Sequence, residues 1–186
     1  TVPPHPLAVV LHDAAEGRFP AADGTVDVLP PCHGVHAIVG FSAHAFVLTD
    51  HGAADVAARG LGAYGGALHP AQQQWLAGDR NIGVVDIVLA RRATGGPATA
   101  APLDDSDHPR VDRARRHRRD VRVVGDDRGL VTVGRGLVDR WELSVELFDG
   151  VQHGHGAGRE LIAAGLSAAP AGEWVWAQVA PGNGAS

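Results

Sequence analysis

A chain of 186 residues with 45% apolar composition is long enough for a sizeable core, with one domain as the default, and no apolar run in it approaches the length of a membrane span. The formal net charge of −5 argues against general nucleic-acid binding, and the single Cys32 has no partner for an internal disulfide, which suits a reducing cytoplasm. All 16 basic residues are Arg, a bias that points to a GC-rich bacterial genome more than to any function.

The first half reads as a series of short elements. The N-terminus, Thr1 to Pro6, lacks the basic and apolar regions of a signal peptide, and the absence of Met implies a removed initiator residue. Leu7 to Leu11 is expected to be a short apolar strand. Gly34–Gly40 and His44–Leu48 read as two strands around Phe41-Ser42-Ala43. Ala53–Arg59 reads as a short helix with Asp50 as its cap, and a second helix runs from His69-Pro70 to Leu76 with Pro near its first turn. Gly83–Arg91, with its Val84-Val85-Asp86-Ile87-Val88-Leu89-Ala90 core, reads as a strand of the fully buried type. Cys32, His33, His36 and His44 cluster in sequence, with His51 nearby, but no paired zinc spacing accompanies them, so no metal site is expected.

The composition then changes. Residues 93–108 are rich in Thr, Gly, Pro, Ala and Asp and read as an exposed loop, which divides the chain into an N-terminal α/β part at 1–92 and a second part at 109–186. The second part opens with an arginine run, Arg110 to Arg122, on a helix that Asp107 caps and Pro109 starts. A solvated helix face is the plain reading of this run. A contact with a phosphate or with an acidic partner is the functional one. Val121 to Val133 reads as a β-hairpin around Asp126-Asp127-Arg128-Gly129, and Trp141–Phe148 as a third strand.

The most informative stretch follows, His153-Gly154-His155-Gly156-Ala157-Gly158-Arg159, between that strand and a helix expected over Leu161–Ser167. A glycine-rich turn at a helix N-terminus aims backbone N–H groups and the positive end of the helix dipole at an anion. The chain has no Lys, which removes the P-loop, and its glycines do not fit the dinucleotide fingerprint. A strand at Glu173–Val179 comes next. It ends in Ala180-Pro181-Gly182-Asn183-Gly184-Ala185-Ser186. Trp174 and Trp176 alternate on that strand and share a face, which suits burial, an acceptor pocket or a homodimer contact.

From about Val121 to Ser186 the chain resembles the GNAT acetyltransferases. Their acyl-CoA loop, Arg/Gln-x-x-Gly-x-Gly/Ala, is matched at every position except the first, where His153 stands. Their fifth strand is followed by a similar Pro-x-Asn segment, and three antiparallel strands precede the loop. The resemblance implies an α+β fold with a mixed sheet, carrying an N-terminal extension or additional half and lacking the family's final helix and strands, unless these are supplied in another way. It implies an acetyl-CoA-dependent N-acetyltransferase of the cytoplasm that moves an acetyl group to a small-molecule or peptide amine, or else a CoA-binding or regulatory domain without efficient catalysis. Acetyl-CoA would lie between the strands Trp141–Phe148 and Glu173–Val179. Its pyrophosphate would meet Gly154, Gly156, Ala157, Gly158 and Arg159, with His153, Asn183 and Ser186 nearby, and its pantetheine arm would meet the backbone of Leu147 and Phe148. Glu142 is the implied base, with Glu146 on the same face. No Tyr follows Asn183 to protonate the leaving thiolate, and Tyr64 is the only Tyr. His153, charged only part of the time near neutral pH, implies CoA binding that depends on pH.

Overall fold

Three helices open on the same dipeptide, His-Pro. The computed structural model of the chain describes residues 3–97, 99–103, 106–151 and 154–183, so His153 and Ser186 lie outside the described residues. In α1 (Pro6–Ala15), α3 (Pro70–Ala77) and α4 (Pro109–His117) the preceding histidine is the N-cap, and its Nδ1 accepts the N–H two residues on, at 3.1 Å from Leu7, 3.2 Å from Ala71 and 3.1 Å from Arg110. Proline at the next position lacks an N–H that the helix start would leave unbonded and already has helical φ. These caps replace the expected Asp107. The helix α2 (Ala53–Arg59) likewise begins at Gly52 with no side-chain cap, rather than at Asp50.

The chain is α+β and divides into two compact units, Thr1–Val85 and Asp86–Ser186. In the first unit, Leu7 to Leu11 lies within the helix α1 and not in the expected strand. An alternating strand would bury residues 7, 9 and 11 together, but Val9 is 49% exposed while Leu7 and Leu11, one helical turn apart, are buried. Three strands, β1 (Val26–Leu29), β2 (Ala37–Phe41) and β3 (His44–Leu48), form a sheet in the order β1-β3-β2, with β1 parallel and β2 antiparallel to the central β3. All five residues of β3 are buried, and Ala45 and Val47 pack with Val56, Leu61, Ala67 and Leu76.

The second unit is built on a mixed six-stranded sheet, in the order β4-β9-β8-β7-β6-β5. The strands are β4 (Ile87–Arg92), β5 (Ala101–Pro102), β6 (Arg119–Asp126), β7 (Gly129–Arg135), β8 (Trp141–Leu147) and β9 (Trp174–Val179). The hairpin β6–β7 and the strand β8 are the expected antiparallel trio. β9 runs parallel to β8, and β4 pairs antiparallel with the far side of β9. The strand beside β9 thus comes from before the hairpin. β4 therefore belongs to this unit, although composition grouped it with residues 1–92; it is the last strand of the sheet, and all six of its residues are exposed. An apolar run cannot report whether its strand is central or at an edge.

The described residues of 93–108, most of them exposed as expected, are fastened to this sheet. Ala93 is buried, its N–H donates to Glu173 O at 2.8 Å, and Leu103 N–H donates to Val123 O at 2.9 Å. Helix α5 (Ala157–Ala168) begins four residues before the expected Leu161. It buries Ala157, Leu161, Ala164, Gly165 and Leu166, and Ala164 and Leu166 join a cluster with Val131, Val133, Trp141, Leu143 and Val175 on one face of the sheet. A Cβ on Gly165 would lie 2.5 Å from Leu143 Cδ1, so glycine there sets how closely the helix approaches. Full burial of Leu161 alone contributes about 1.5–3 kcal/mol. Helix α4 lies on the other face, where Val111 packs with Val123 and Leu130.

Candidate functional site

Two parallel strands part company in the middle of this sheet. β8 and β9 pair at only three positions, Trp141↔Val175, Glu142↔Trp176 and Leu143↔Ala177. Beyond these, residues 144–147 of β8 still pair with β7, while Gln178 and Val179 of β9 still pair with β4. Each strand is held from its outer side, and the inner edges separate into a wedge open at the carboxyl ends of both.

The register tells which backbone groups line the wedge. Phe148 N–H donates to Arg128 O at 2.9 Å, on the β7 side. Backbone groups alternate sides along a strand, so Glu146 and Ser144 also turn theirs toward β7, and Val145 and Leu147 turn theirs toward the wedge. Leu147 therefore turns its backbone groups to the wedge. The backbone groups of Phe148 are already engaged, its N–H by Arg128 O and its carbonyl by Val151 N–H at 3.2 Å. Val145, which the motif did not single out, faces the wedge with Leu147.

The N-terminus of α5 lies at the same end of the sheet, reached from β8 through the glycine loop. Gly154 and Gly156 have φ of 84° and 91°, a left-handed conformation that side chains disfavour. Gly156 is the N-cap, without a side-chain cap, and its carbonyl accepts Glu160 N–H at 3.0 Å. Among the described residues no acceptor meets the N–H of Ala157, Gly158 or Arg159. Three donors and the positive helix end thus remain for an anion. Arg128 ties this turn to the hairpin, donating to Glu160 at 2.6 Å and to Asp126 at 2.6 Å. Those bonds raise the Arg128 pKa above its ordinary value, and the hydrogen bonds from Arg128 lower that of Asp126. Asn183 follows β9 at the opposite lip, its N–H on Ala180 O at 3.0 Å. A separate cavity of about 390 Å³, lined by Arg122, Ser167 and Ala171 among others, lies at the other end of α5.

Glu142 and Glu146 share the sheet face that α4 covers, and each is met by arginine. Glu142 is buried at the closed end of the wedge, opposite Trp176. Its Oε1 accepts Arg140 Nε at 2.8 Å and Leu137 N–H at 3.2 Å, and its Oε2 accepts Arg118 Nε at 3.2 Å. Arg118 also donates to Ser144 Oγ at 2.9 Å and to Thr132 Oγ1 at 3.2 Å. Burial lowers the Arg118 pKa, against the opposing pull of Glu142. A Cβ on Gly136 would lie 2.3 Å from the Glu142 carboxylate, and the turn that follows holds Val138 and Asp139 at φ of 49° and 62°. The carboxylate is thus clasped on all sides. With two guanidinium groups and a backbone N–H on its two oxygens, Glu142 is an anchor between the end of α4 and β8.

Glu146 differs. Arg110 Nε and Nη2 both converge on its Oε2, and among the described residues no partner meets Oε1. The arginine run is therefore not one solvated face. Arg110 and Arg118 serve the β8 carboxylates, and Arg122 reaches the Ala168 carbonyl at the end of α5. The sequence concealed this because Arg118 lies one residue beyond α4, where helical spacing no longer applies.

Elsewhere the histidines disperse. His36 pairs with Asp50 at 3.2 Å, and His51 stacks on Trp75. His44 lies between Asp23 at 3.0 Å and Asp27 at 3.2 Å. Among the described residues no three His, Cys, Asp or Glu side chains gather as a ligand set, and no helix is long and apolar enough to cross a membrane. No family model matches the chain, and no curated protein or solved structure matches it.

Proposed function

We propose that the second unit binds acetyl-CoA in the β8–β9 wedge and transfers its acetyl group to an amine. The observation that carries this reading is the wedge itself: two parallel strands that part after Leu143 and Ala177, with the unbonded N-terminus of α5 at their open end. The wedge-facing backbone of Val145 and Leu147 offers an edge to an extended amide chain such as pantetheine. The N–H groups of Ala157, Gly158 and Arg159 suit a pyrophosphate.

Transfer needs a neutral amine, which attacks the thioester carbonyl as the carbon–sulfur bond breaks. The amine's proton must leave, and the thiolate must be stabilised or protonated. Glu146 Oε1 is the better placed acceptor for that proton, directly or through water, since Glu142 is clasped by Arg118 and Arg140. No Tyr lies in the second unit to protonate the thiolate, so that proton would come from solvent or from the newly protonated base.

A second reading, a CoA-binding or regulatory domain without efficient turnover, is favoured by the engagement of Glu142. Calorimetric titration with CoA and acetyl-CoA tests the binding. Thiol release from acetyl-CoA against a panel of amines separates the two readings, since binding without release leaves only the second. Absence of CoA binding overturns both.

A further inference from the structure

The outer edge of β4 is long and free of proline and bulges, and it carries charge only in its last two residues. Exposed edges are ordinarily blunted by brevity, proline, a bulge, charged side chains or a covering segment. The opposite edge of this sheet obeys the rule, since β5 is two residues long and ends in Pro102. β4 has six residues, a register with β9 free of shifts, and an apolar centre in which Ile87, Val88 and Leu89 are 55%, 38% and 53% exposed. Its charges stand only at its ends, Asp86 immediately before it and Arg91 and Arg92 at its close.

That distribution is complementary to itself when the strand is reversed. A twofold axis perpendicular to the sheet makes two copies of β4 antiparallel and keeps each face on its own side, so opposed residues must share a face. Centred on Leu89, the pairing sets Leu89 against Leu89, Val88 against Ala90, Ile87 against Arg91 and Asp86 against Arg92, twice over. A shift to a centre on Val88 or Ala90 sets Asp86 against Ala90 or Thr94 and loses both ion pairs. Arg92 is already oriented within its own chain, over the Trp174 ring at 4.2 Å with Nη1 on Gly172 O at 2.6 Å. We propose that β4 pairs with β4 of a second copy of this chain, centred on Leu89, and joins two six-stranded sheets edge to edge. The proposal is independent of what the wedge binds.

Sedimentation of the full chain tests the assembly, and cysteine cross-linking tests the register. The wild-type chain should show a concentration-dependent monomer–dimer equilibrium. Leu89→Lys, which sets like charges against each other at the axis, should weaken it at least tenfold. In a Cys32→Ala background, Leu89→Cys should oxidise to a covalent dimer, because opposed Cα atoms about 4.5–5.5 Å apart fall within disulfide range. Arg91→Cys should not, since the two residues 91 would lie about 13 Å apart along the strands. Both positions tested on β4, 89 and 91, are exposed, and circular dichroism checks that each variant is folded. A chain that stays monomeric at high concentration, a dimer that survives Leu89→Lys, or cross-linking at 91 but not at 89 overturns the proposal.

Discussion

Arg118 donates through Nε to Glu142 Oε2 at 3.2 Å, joining the residue after α4 to the strand that forms one wall of the wedge. Both side chains are nearly buried, at 13% and 11% exposure, and Arg140 meets the other carboxylate oxygen. Removing one partner of such a network leaves uncompensated charge behind. Glu142→Ala should therefore destabilise the second unit by about 3–5 kcal/mol in denaturant unfolding. Glu146→Gln, at a more exposed pair with one guanidinium, should cost less than about 1 kcal/mol. If Glu146 accepts the amine's proton, Glu146→Gln lowers thiol release while CoA affinity stays unchanged, and a variant with undiminished release removes it from that role.

The glycine loop makes a second, separable demand. Gly154 and Gly156 hold φ near 84° and 91°, so alanine at either position strains the backbone by about 1–2 kcal/mol or moves the loop. Gly156→Ala should weaken CoA binding about tenfold in calorimetry, by turning the α5 N–H groups away from the pyrophosphate. Gly150→Ala, whose φ of 86° lies in the same loop but before the helix start, carries similar strain and should leave affinity closer to wild type. Equal losses at both positions would argue that general loop strain, and not the helix start, governs binding.

Much of the second unit was legible because its signals are local. Asp and Gly between β-branched runs marked the β6–β7 hairpin, and alternating glycines marked the loop ahead of α5. The wedge was hidden, because it is a relation between β8 and β9, about thirty residues apart, and only their register shows where pairing stops. The exposure of β4 was hidden for the same reason. Leu7 to Leu11 was misread as a strand because a five-residue apolar run has too few positions to separate a period of two from one of 3.6. The His-Pro starts of α1, α3 and α4 carried a readable signal in Pro alone, since histidine is not among the usual capping residues.

That last point is testable at α4. His108 Nδ1 accepts Arg110 N–H at 3.1 Å, and its ring lies 5.7 Å from that of Phe148. His108→Ala removes the cap and should destabilise the second unit by about 1 kcal/mol. His108→Asp restores an acceptor beside the positive helix end and should recover most of this loss. If Asp and Ala are equally destabilised in denaturant unfolding, packing on Phe148 rather than capping is the contribution of His108.

In the first unit, His44 gives stability a definite sign with pH. Its two ring nitrogens face Asp23 at 3.0 Å and Asp27 at 3.2 Å, and only the imidazolium donates to both. Burial alone would lower its pKa, but the two carboxylates outweigh burial and raise it. The stabilisation is therefore fully present below the unfolded histidine value of about 6.5 and is lost as pH rises through the folded value. Asp23, lowered chiefly by the Thr25 backbone N–H and further by His44, acts in the opposite sense: its contribution is present above the unfolded carboxylate value and lost as pH falls through the folded one. The first unit should thus be most stable in mildly acidic solution, and its thermal midpoint should fall from pH 6 toward pH 9. His44→Gln, which can donate to only one carboxylate side at a time and does not titrate, should flatten that fall. Calorimetric unfolding of both proteins across this range measures it, and an equal slope in the variant would show that another group sets the dependence.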